Sequence, residues 1–450
     1  MWRDRPQSTG SESKSLFLWP SMPVLVPHRL RRKWRSRLRS RQSPASSLTA
    51  IETSFSPADT LRALRMHRWS YYDGQYLLLL IIAVFSLSVI QTPGPIVKTL
   101  VATLLMGSLV FPITRQFFLP FLPIATWLIF FLACGFVSSD YRPPIWVRVL
   151  PALENIFYGA NLSNILSAHQ SVVLDVLAWL PYGIVHFAAP FLCSAVTFVF
   201  GPPGSVPVFA RSFGYMNLIG VTIQMLFPCS PPWYENKFGL APADYSMAGS
   251  PAGLARIDRL FGIDMYTSNF TASPVVFGAF PSLHAGCATI EALFLSHLFP
   301  RLRPFFVMYT IWIWWATMYL SHHYAVDLVG GSLLAGMVFY IAKAKYLPRV
   351  QQDKETRWDY DYVEIGDVSN EHSYGLAELD TEFRHSVSDS DEWTAGSSSS
   401  VSSDCMSPME EGHSLWEGET LGSHSDSDSH DPALDAAGRD ERRISPPGRR

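Results

Sequence analysis

Three side chains in this sequence have the types and spacing for group-transfer chemistry: His284, His323 and Asp327. His323 and Asp327 stand four residues apart, so a helical turn puts them on one face. A carboxylate there holds one imidazole nitrogen in its N–H form and leaves a lone pair on the other, which is the pairing of a nucleophile with its orienting group. His284 lies in Gly278-Ala279-Phe280-Pro281-Ser282-Leu283-His284-Ala285-Gly286, where a proline at the start of a helix is expected. The first N–H groups of a helix are unpaired and its dipole is positive there, so an anion is favoured. A histidine on that turn can pass a proton to a bound phosphate ester. The second motif, Tyr319-Leu320-Ser321-His322-His323-Tyr324-Ala325-Val326-Asp327, supplies the nucleophile.

These residues need elements that bring them together. Eight apolar runs read as membrane-spanning helices: 76–92, 96–113, 117–137, 176–200, 213–227, 283–299, 305–321 and 326–346. A bilayer core of about 30 Å takes about 20 residues of helix. The expected fold class is an all-α polytopic bundle. His284 opens the sixth run and His323 follows the seventh, so one helical hairpin separates them and returns the chain to the same face. Pro181 and Pro190 predict a kink in the fourth run, or a short interfacial helix before the span proper. Gly330-Gly331 is expected to let helices approach closely.

The 450 residues fall into three regimes. Residues 1–70 form a basic N-terminal region, with an interfacial helix expected to open at Ser56-Pro57 and eight Lys/Arg between His28 and Gln42 for anionic lipid or solvent. Residues 71–349 form the apolar catalytic domain. Residues 350–450 form an acidic, Ser-rich tail too polar to build a core, expected to be disordered. Charged residues are only 16% of the chain, well under the roughly 25% of soluble domains. The distribution of Lys and Arg places both termini on the cytoplasmic side and the histidines on the other. Five scattered cysteines without a C-x-x-C pair argue against a zinc site or a disulfide scaffold. No metal and no cofactor are expected, and nothing suggests nucleic acid as a partner. His186, Glu291 and His297 read as polar contacts within the bundle, and His322 as a supporting or headgroup contact.

Pro281-Ser282-Leu283-His284 resembles the second signature of the PAP2 phosphatase/transferase superfamily, and His323-x-x-x-Asp327 resembles the end of its third. Three further stretches narrow the likeness: Arg148–Glu154, Phe227–Glu235 and Ala252–Gly262 resemble the fungal inositol phosphorylceramide synthases, the targets of aureobasidin A. The resemblance covers roughly residues 60–350. It implies transfer of phosphoinositol from phosphatidylinositol to ceramide with release of diacylglycerol, a Golgi membrane, and in some members a small membrane partner. It further implies roles: His323 as nucleophile, Asp327 as its orienting carboxylate and His284 as acid and then base. The sequence departs from the superfamily at two cation positions. Gly135 stands where a Lys is expected seven residues before Arg142-Pro143, and Ala316-Thr317 replaces Ser-Arg. Another cation must balance the phosphate, and Arg256 and Arg259 are the candidates. Ser282 and Tyr234 are candidate substrate contacts, with Trp233 and Tyr234 stacking on inositol or sitting in the interface. Two other readings compete: a lipid phosphate phosphatase, in which water resolves the intermediate, and a transporter or scaffold that has kept the fold.

Overall fold

The computed structural model describes residues 51–360 and 363–365. The basic run at 28–42 and the serine-rich stretches of the tail lie outside them. Among the described residues the secondary structure is helical apart from isolated bridges. The chain opens with α1 (Pro57–Met66), α2 (Gly74–Val89), α3 (Pro95–Val110) and α4 (Pro112–Cys134). Short helices α5 (Val149–Tyr158) and α6 (Leu162–Ala168) follow. A continuous helical rod then runs through α7 (Val172–Trp179), a π turn at Leu180–Val185, and α8 (His186–Phe200). After α9 (Ser205–Leu226) come three short helices, α10 (Pro232–Phe238), α11 (Leu254–Phe261) and α12 (Met265–Thr271). The chain ends its helical part with α13 (Leu283–Leu298), α14 (Arg303–Tyr319) and α15 (Ala325–Lys345).

Each of the eight expected spans falls on a helix, and the all-α membrane bundle is the fold found. Four stretches are long and apolar enough to cross a membrane: Tyr71–Val89, Pro112–Cys134, Val172–Phe200 and Ala325–Lys345. The rest are shorter or more polar for a physical reason. α9 has 22 residues but turns Ser212, Asn217 and Gln224 inward, where neighbouring helices rather than lipid surround them. It also starts at Ser205, eight residues before the expected 213, because its first turns are packed in protein. α13 is likewise buried along most of its length.

The inner layer is built by α9, α13 and α15, with α4, α8 and α14 packed around it. Phe209, Phe213, Met216, Phe294 and Phe339 interlock at its centre. Small residues set the distances. A Cβ at Gly214 would lie 2.5 Å from the backbone nitrogen of Ile124, which is where α9 crosses α4. A Cβ at Gly331 would lie 2.0 Å from the carbonyl oxygen of Ser282, so α15 touches the start of α13 there. Gly330 similarly faces the ring of Phe280. At the amino end, α1 buries none of its residues. Ser56 occupies its N-cap position, yet its side chain makes no capping bond; Ser54 instead donates to Asp59 at 2.6 Å.

The kink expected from Pro181 takes the form of the π turn. Pro181 has no N–H to give, and the added residue per turn shifts the register of everything after it. The short helices α5, α6, α10, α11 and α12 gather at one end of the bundle. Their connecting segments pair in places: Trp146 bridges Cys229, and Cys229 bridges Gly278.

Candidate active site

The site lies where the amino end of α13, the turn between α14 and α15, and the π turn meet. Ser282 is the N-cap of α13; its hydroxyl accepts from the N–H of Ala285 at 3.3 Å, and its own N–H donates to the carbonyl of Asp327 at 2.9 Å. That bond ties the start of α13 to the first turn of α15. His284 and Asp327 are thereby anchored to each other through the backbone.

The two histidines meet. His284 Nδ1 lies 3.2 Å from His323 Nε2. His323 Nδ1–H donates to Asp327 Oδ2 at 3.0 Å. Asp327 is fully buried, and its Oδ1 has no hydrogen-bond partner among the described residues. The tautomer with the proton on Nδ1 leaves the lone pair of His323 Nε2 directed at the His284 ring. Two imidazoles and one carboxylate thus stand in line.

Aromatic groups from the rod close the site. Tyr182 stacks on His284 at 4.6 Å between centroids and on His322 at 5.4 Å. The His186 ring lies 4.8 Å from that of His284, and its Nδ1 is buried with no hydrogen-bond partner among the described residues. The sequence assigns His186 to a polar contact within the bundle, and the structure places it beside His284. Tyr182 belongs to neither histidine motif. The signal available was a Tyr and a His four apart in an apolar run, and the π turn decides which way they face. Glu291 and His297 stay in the bundle, near Tyr309 Oη at 3.3 Å and the Pro348 carbonyl at 3.3 Å respectively.

The turn carrying His322 and His323 is braced from several sides. Ser321 adopts a left-handed backbone, φ 58°, and the N–H groups of His322 and His323 both point to the carbonyl of Thr317. The N–H of Trp233 donates to the Ser321 carbonyl at 3.0 Å, and that of Gly253 to Leu320 at 3.1 Å. Ser163 Oγ donates to the Met318 carbonyl at 2.9 Å. His322 Nε2–H donates to the Pro251 carbonyl at 3.2 Å. Burial pushes its imidazole down to about 3, with His323 adding to the effect, so His322 is held neutral.

Glu154 caps α15. Its carboxylate accepts from the N–H groups of Ala325 at 3.2 Å and Val326 at 3.1 Å, across 171 and 172 residues of chain. Burial pushes this carboxyl up, and the three backbone donors of Ala325, Val326 and Leu162 pull against it. Tyr324 Oη donates to Glu235 Oε2 at 2.8 Å, and Asn161 Nδ2 shares that oxygen. The stretches 148–154, 227–235 and 252–262, distant in sequence, therefore converge on one turn.

The expected substrate contacts are placed less uniformly. Arg256 Nε and Nη2 grip the carboxylate of Asp175 at 2.7–2.9 Å, and Tyr319 Oη donates to the same carboxylate at 2.8 Å. Burial alone would lower the Arg256 pKa; the bonds and charge of Asp175 outweigh it and raise it. Asp258, two residues on, does not pair with Arg256 and accepts from the N–H groups of Tyr266 and Thr267. Arg259 is exposed, its Nε donating to the Ala255 carbonyl. Tyr234 is fully buried, its hydroxyl donating to the carbonyls of Ala241 and Pro242. Trp233 is buried beside it, so neither ring sits in an interface. Ser282 is fully buried in its capping role. Among the described residues no group of three or more metal-ligating side chains is assembled.

The chain is similar to known proteins over most of its length. A family model described as PAP2 superfamily matches residues 145–341. The chain is 55% identical over 328 residues to the Schizosaccharomyces pombe protein named inositol phosphorylceramide synthase catalytic subunit aur1, covering 73% of this chain and 76% of that one. It is 45% identical over 332 residues to the Saccharomyces cerevisiae inositol phosphorylceramide synthase catalytic subunit AUR1, covering 73% and 82%. It is 28% identical over 240 residues to the phosphoinositol dihydroceramide synthase of Bacteroides thetaiotaomicron, covering 50% and 77%. No solved structure gives a significant match. On this identity, spread over most of both chains, and on a family model whose match spans both histidine motifs, the protein belongs to the inositol phosphorylceramide synthases of the PAP2 superfamily.

Proposed function

We propose that this chain transfers phosphoinositol from phosphatidylinositol to the primary hydroxyl of ceramide and releases diacylglycerol, with His323 as the nucleophile. The observation that carries the reading is the line Asp327–His323–His284, at 3.0 Å and 3.2 Å between successive polar atoms. Asp327 keeps the proton of His323 on Nδ1. Nε2 then attacks phosphorus, the bond from phosphorus to the diacylglycerol oxygen breaks, and His284 gives that oxygen a proton. The phosphoinositol is left on His323 Nε2. In the second half the ceramide hydroxyl loses its proton to neutral His284, its oxygen bonds phosphorus, and the bond from phosphorus to Nε2 breaks. One imidazole acts as acid and then as base. The two rings part to admit the phosphorus between them.

Charge on the phosphate is balanced by the amino end of α13 and by Arg256, whose Nη1 is not engaged by Asp175. Arg259 is the second candidate. Ser282 and Tyr234 act on substrate through the elements they hold. Apolar and aromatic surroundings keep water scarce, which favours ceramide over water as acceptor. The active site faces the lumen of the Golgi and both termini are cytoplasmic, in line with the Lys/Arg distribution. A small membrane subunit associates with the chain, as the family resemblance implies.

The test is an assay of purified protein in detergent with fluorescent ceramide and phosphatidylinositol. Wild type forms inositol phosphorylceramide. His323→Ala and His284→Ala each lose about 10²-fold or more, the scale of general acid–base catalysis. Product from His323→Ala at the wild-type rate overturns the covalent route. Release of inorganic phosphate from phosphatidate, with no transfer, overturns the transferase reading in favour of a phosphatase. Full activity in both Arg256→Ala and Arg259→Ala removes the cation assignment.

A further inference from the structure

A cavity of about 740 Å³ lies beside the start of α13 and is separate from the histidine pair. Small-molecule sites run from about 300 to 1,000 Å³. The ends of α4 and α9 and the loops at 142–145, 242–246 and 273–277 form its walls; His284, His323 and Asp327 do not line it.

Its chemistry is specific. Arg142 is half-buried and held rigidly: Nε donates to the Val137 carbonyl at 3.0 Å, Nη2 donates to the Cys134 carbonyl, and the guanidinium sits 4.9 Å over the Tyr245 ring. Among the described residues it makes no ion pair and its Nη1 makes no hydrogen bond. Asp244 is exposed; its Oδ1 accepts from the N–H of Ser246 at 2.8 Å and from the Ser246 hydroxyl, and the N–H of Met247 also bears on the carboxylate. Gln224 is only 5% exposed; its Nε2 donates to the Pro281 carbonyl at 3.0 Å, and its Oε1 receives no hydrogen bond among the described residues. Tyr245 and Phe277 supply an aromatic wall, 6.3 Å between centroids.

One rigid cation without a counter-charge takes a phosphate. The free amide oxygen of Gln224 and the remaining lone pairs of the Asp244 carboxylate take hydroxyls, and aromatic edges take the apolar face of a ring. We propose that this cavity is a second binding site for an inositol phosphate headgroup, with its phosphate on Arg142 and its ring hydroxyls on Asp244 and Gln224. The choice of inositol rests on the proposed function, since donor and product lipids both carry that headgroup. Gln224 gives the site a path to the chemistry. The same side chain that faces the cavity holds Pro281, three residues before His284. Occupancy is therefore felt at the turn that positions His284.

The test uses the full chain in detergent with Cys405→Ser and Ser246→Cys. The cysteines at 134, 193, 229 and 287 are buried, so maleimide labelling reads position 246. Inositol 1-phosphate at about ten times its Kd should slow labelling about ten-fold. Arg142→Gln should remove that protection, and His323→Ala should keep it. A parallel arm offers phosphatidylinositol in mixed micelles: protection there assigns the headgroup to a lipid, and protection by the soluble compound alone assigns it to a free headgroup. An unchanged labelling rate in both arms overturns the site. So does equal protection by glycerol 3-phosphate, full protection in Arg142→Gln, or loss of protection in His323→Ala. Ser139→Cys, on another wall, gives an independent reporter should Ser246→Cys fail to fold. Transfer activity, measured on the same preparation, reads the proposed function separately.

Discussion

At the scale of single residues, the site is a set of groups each held by another. Asp327 orients His323, and Asp327's own carbonyl holds Ser282, the cap of the helix that presents His284. Glu154 reaches across the fold to pair the first N–H groups of α15. Glu154→Ala takes the acceptor from the N–H groups of Ala325, Val326 and Leu162, which costs about 2 kcal/mol or more. The expected result is a lower melting temperature together with weaker transfer, measured by thermal unfolding and by product formation. Glu154→Gln keeps an acceptor oxygen and should recover much of the loss; a melting temperature equal to wild type in Glu154→Ala would show that the cap is not needed.

At the scale of elements, close helix contacts set the position of the histidines. The contact of α15 with the start of α13 depends on Gly331, because an added Cβ would sit 2.0 Å from the Ser282 carbonyl. Gly331→Ala forces the two helix ends apart, at a cost of about 1–3 kcal/mol for overpacking. Transfer activity should fall more than stability, since His284 and Asp327 ride on the separated ends. Gly336, one turn and a residue further along α15, has nothing within 4 Å of an added Cβ. Gly336→Ala is the control and should leave both melting temperature and activity near wild type. The π turn is the other device at this scale. It lets Tyr182 and His186 face the His284 ring from a helix whose remaining surface is largely apolar.

At the scale of the whole molecule, every side chain of the site comes from residues between 149 and 327, and the helices that hold it end at Lys345. A chain ending at Ile365 should therefore keep transfer activity within about two-fold of full length, well under the ten-fold that corresponds to 1.4 kcal/mol. Loss of activity on that truncation would assign the tail a part in catalysis or assembly. The orientation is tested by glycosylation. An acceptor sequence placed in the 239–249 loop should be modified in cells, and one placed at 300–302 should not. The reverse pattern would invert the proposed topology.

Much of this architecture was legible in the residues alone. His284, His323 and Asp327 announce themselves because their chemistry is local: a helix start, an i,i+4 pair and a hairpin that returns to the same face. The helices on the eight expected runs are legible because lipid imposes apolar composition on any helix it touches, and four of these stretches are long and apolar enough to cross a membrane. Composition falters for α9 and α13, whose inner faces meet protein, and there packing replaced hydropathy as the determinant. Long-range pairings were decided only in three dimensions. Glu154 on the α15 N–H groups, Asp175 on Arg256, and Trp233 and Gly253 on the 320–321 carbonyls join residues that no local period relates. The same holds for His186 and Tyr182, which face the site because a π turn advances the helix by one residue. Sequence by itself determines what each segment can bury and which groups can react. Tertiary structure determines which buried polar groups find one another, because each such pairing is chosen by the geometry of the whole bundle.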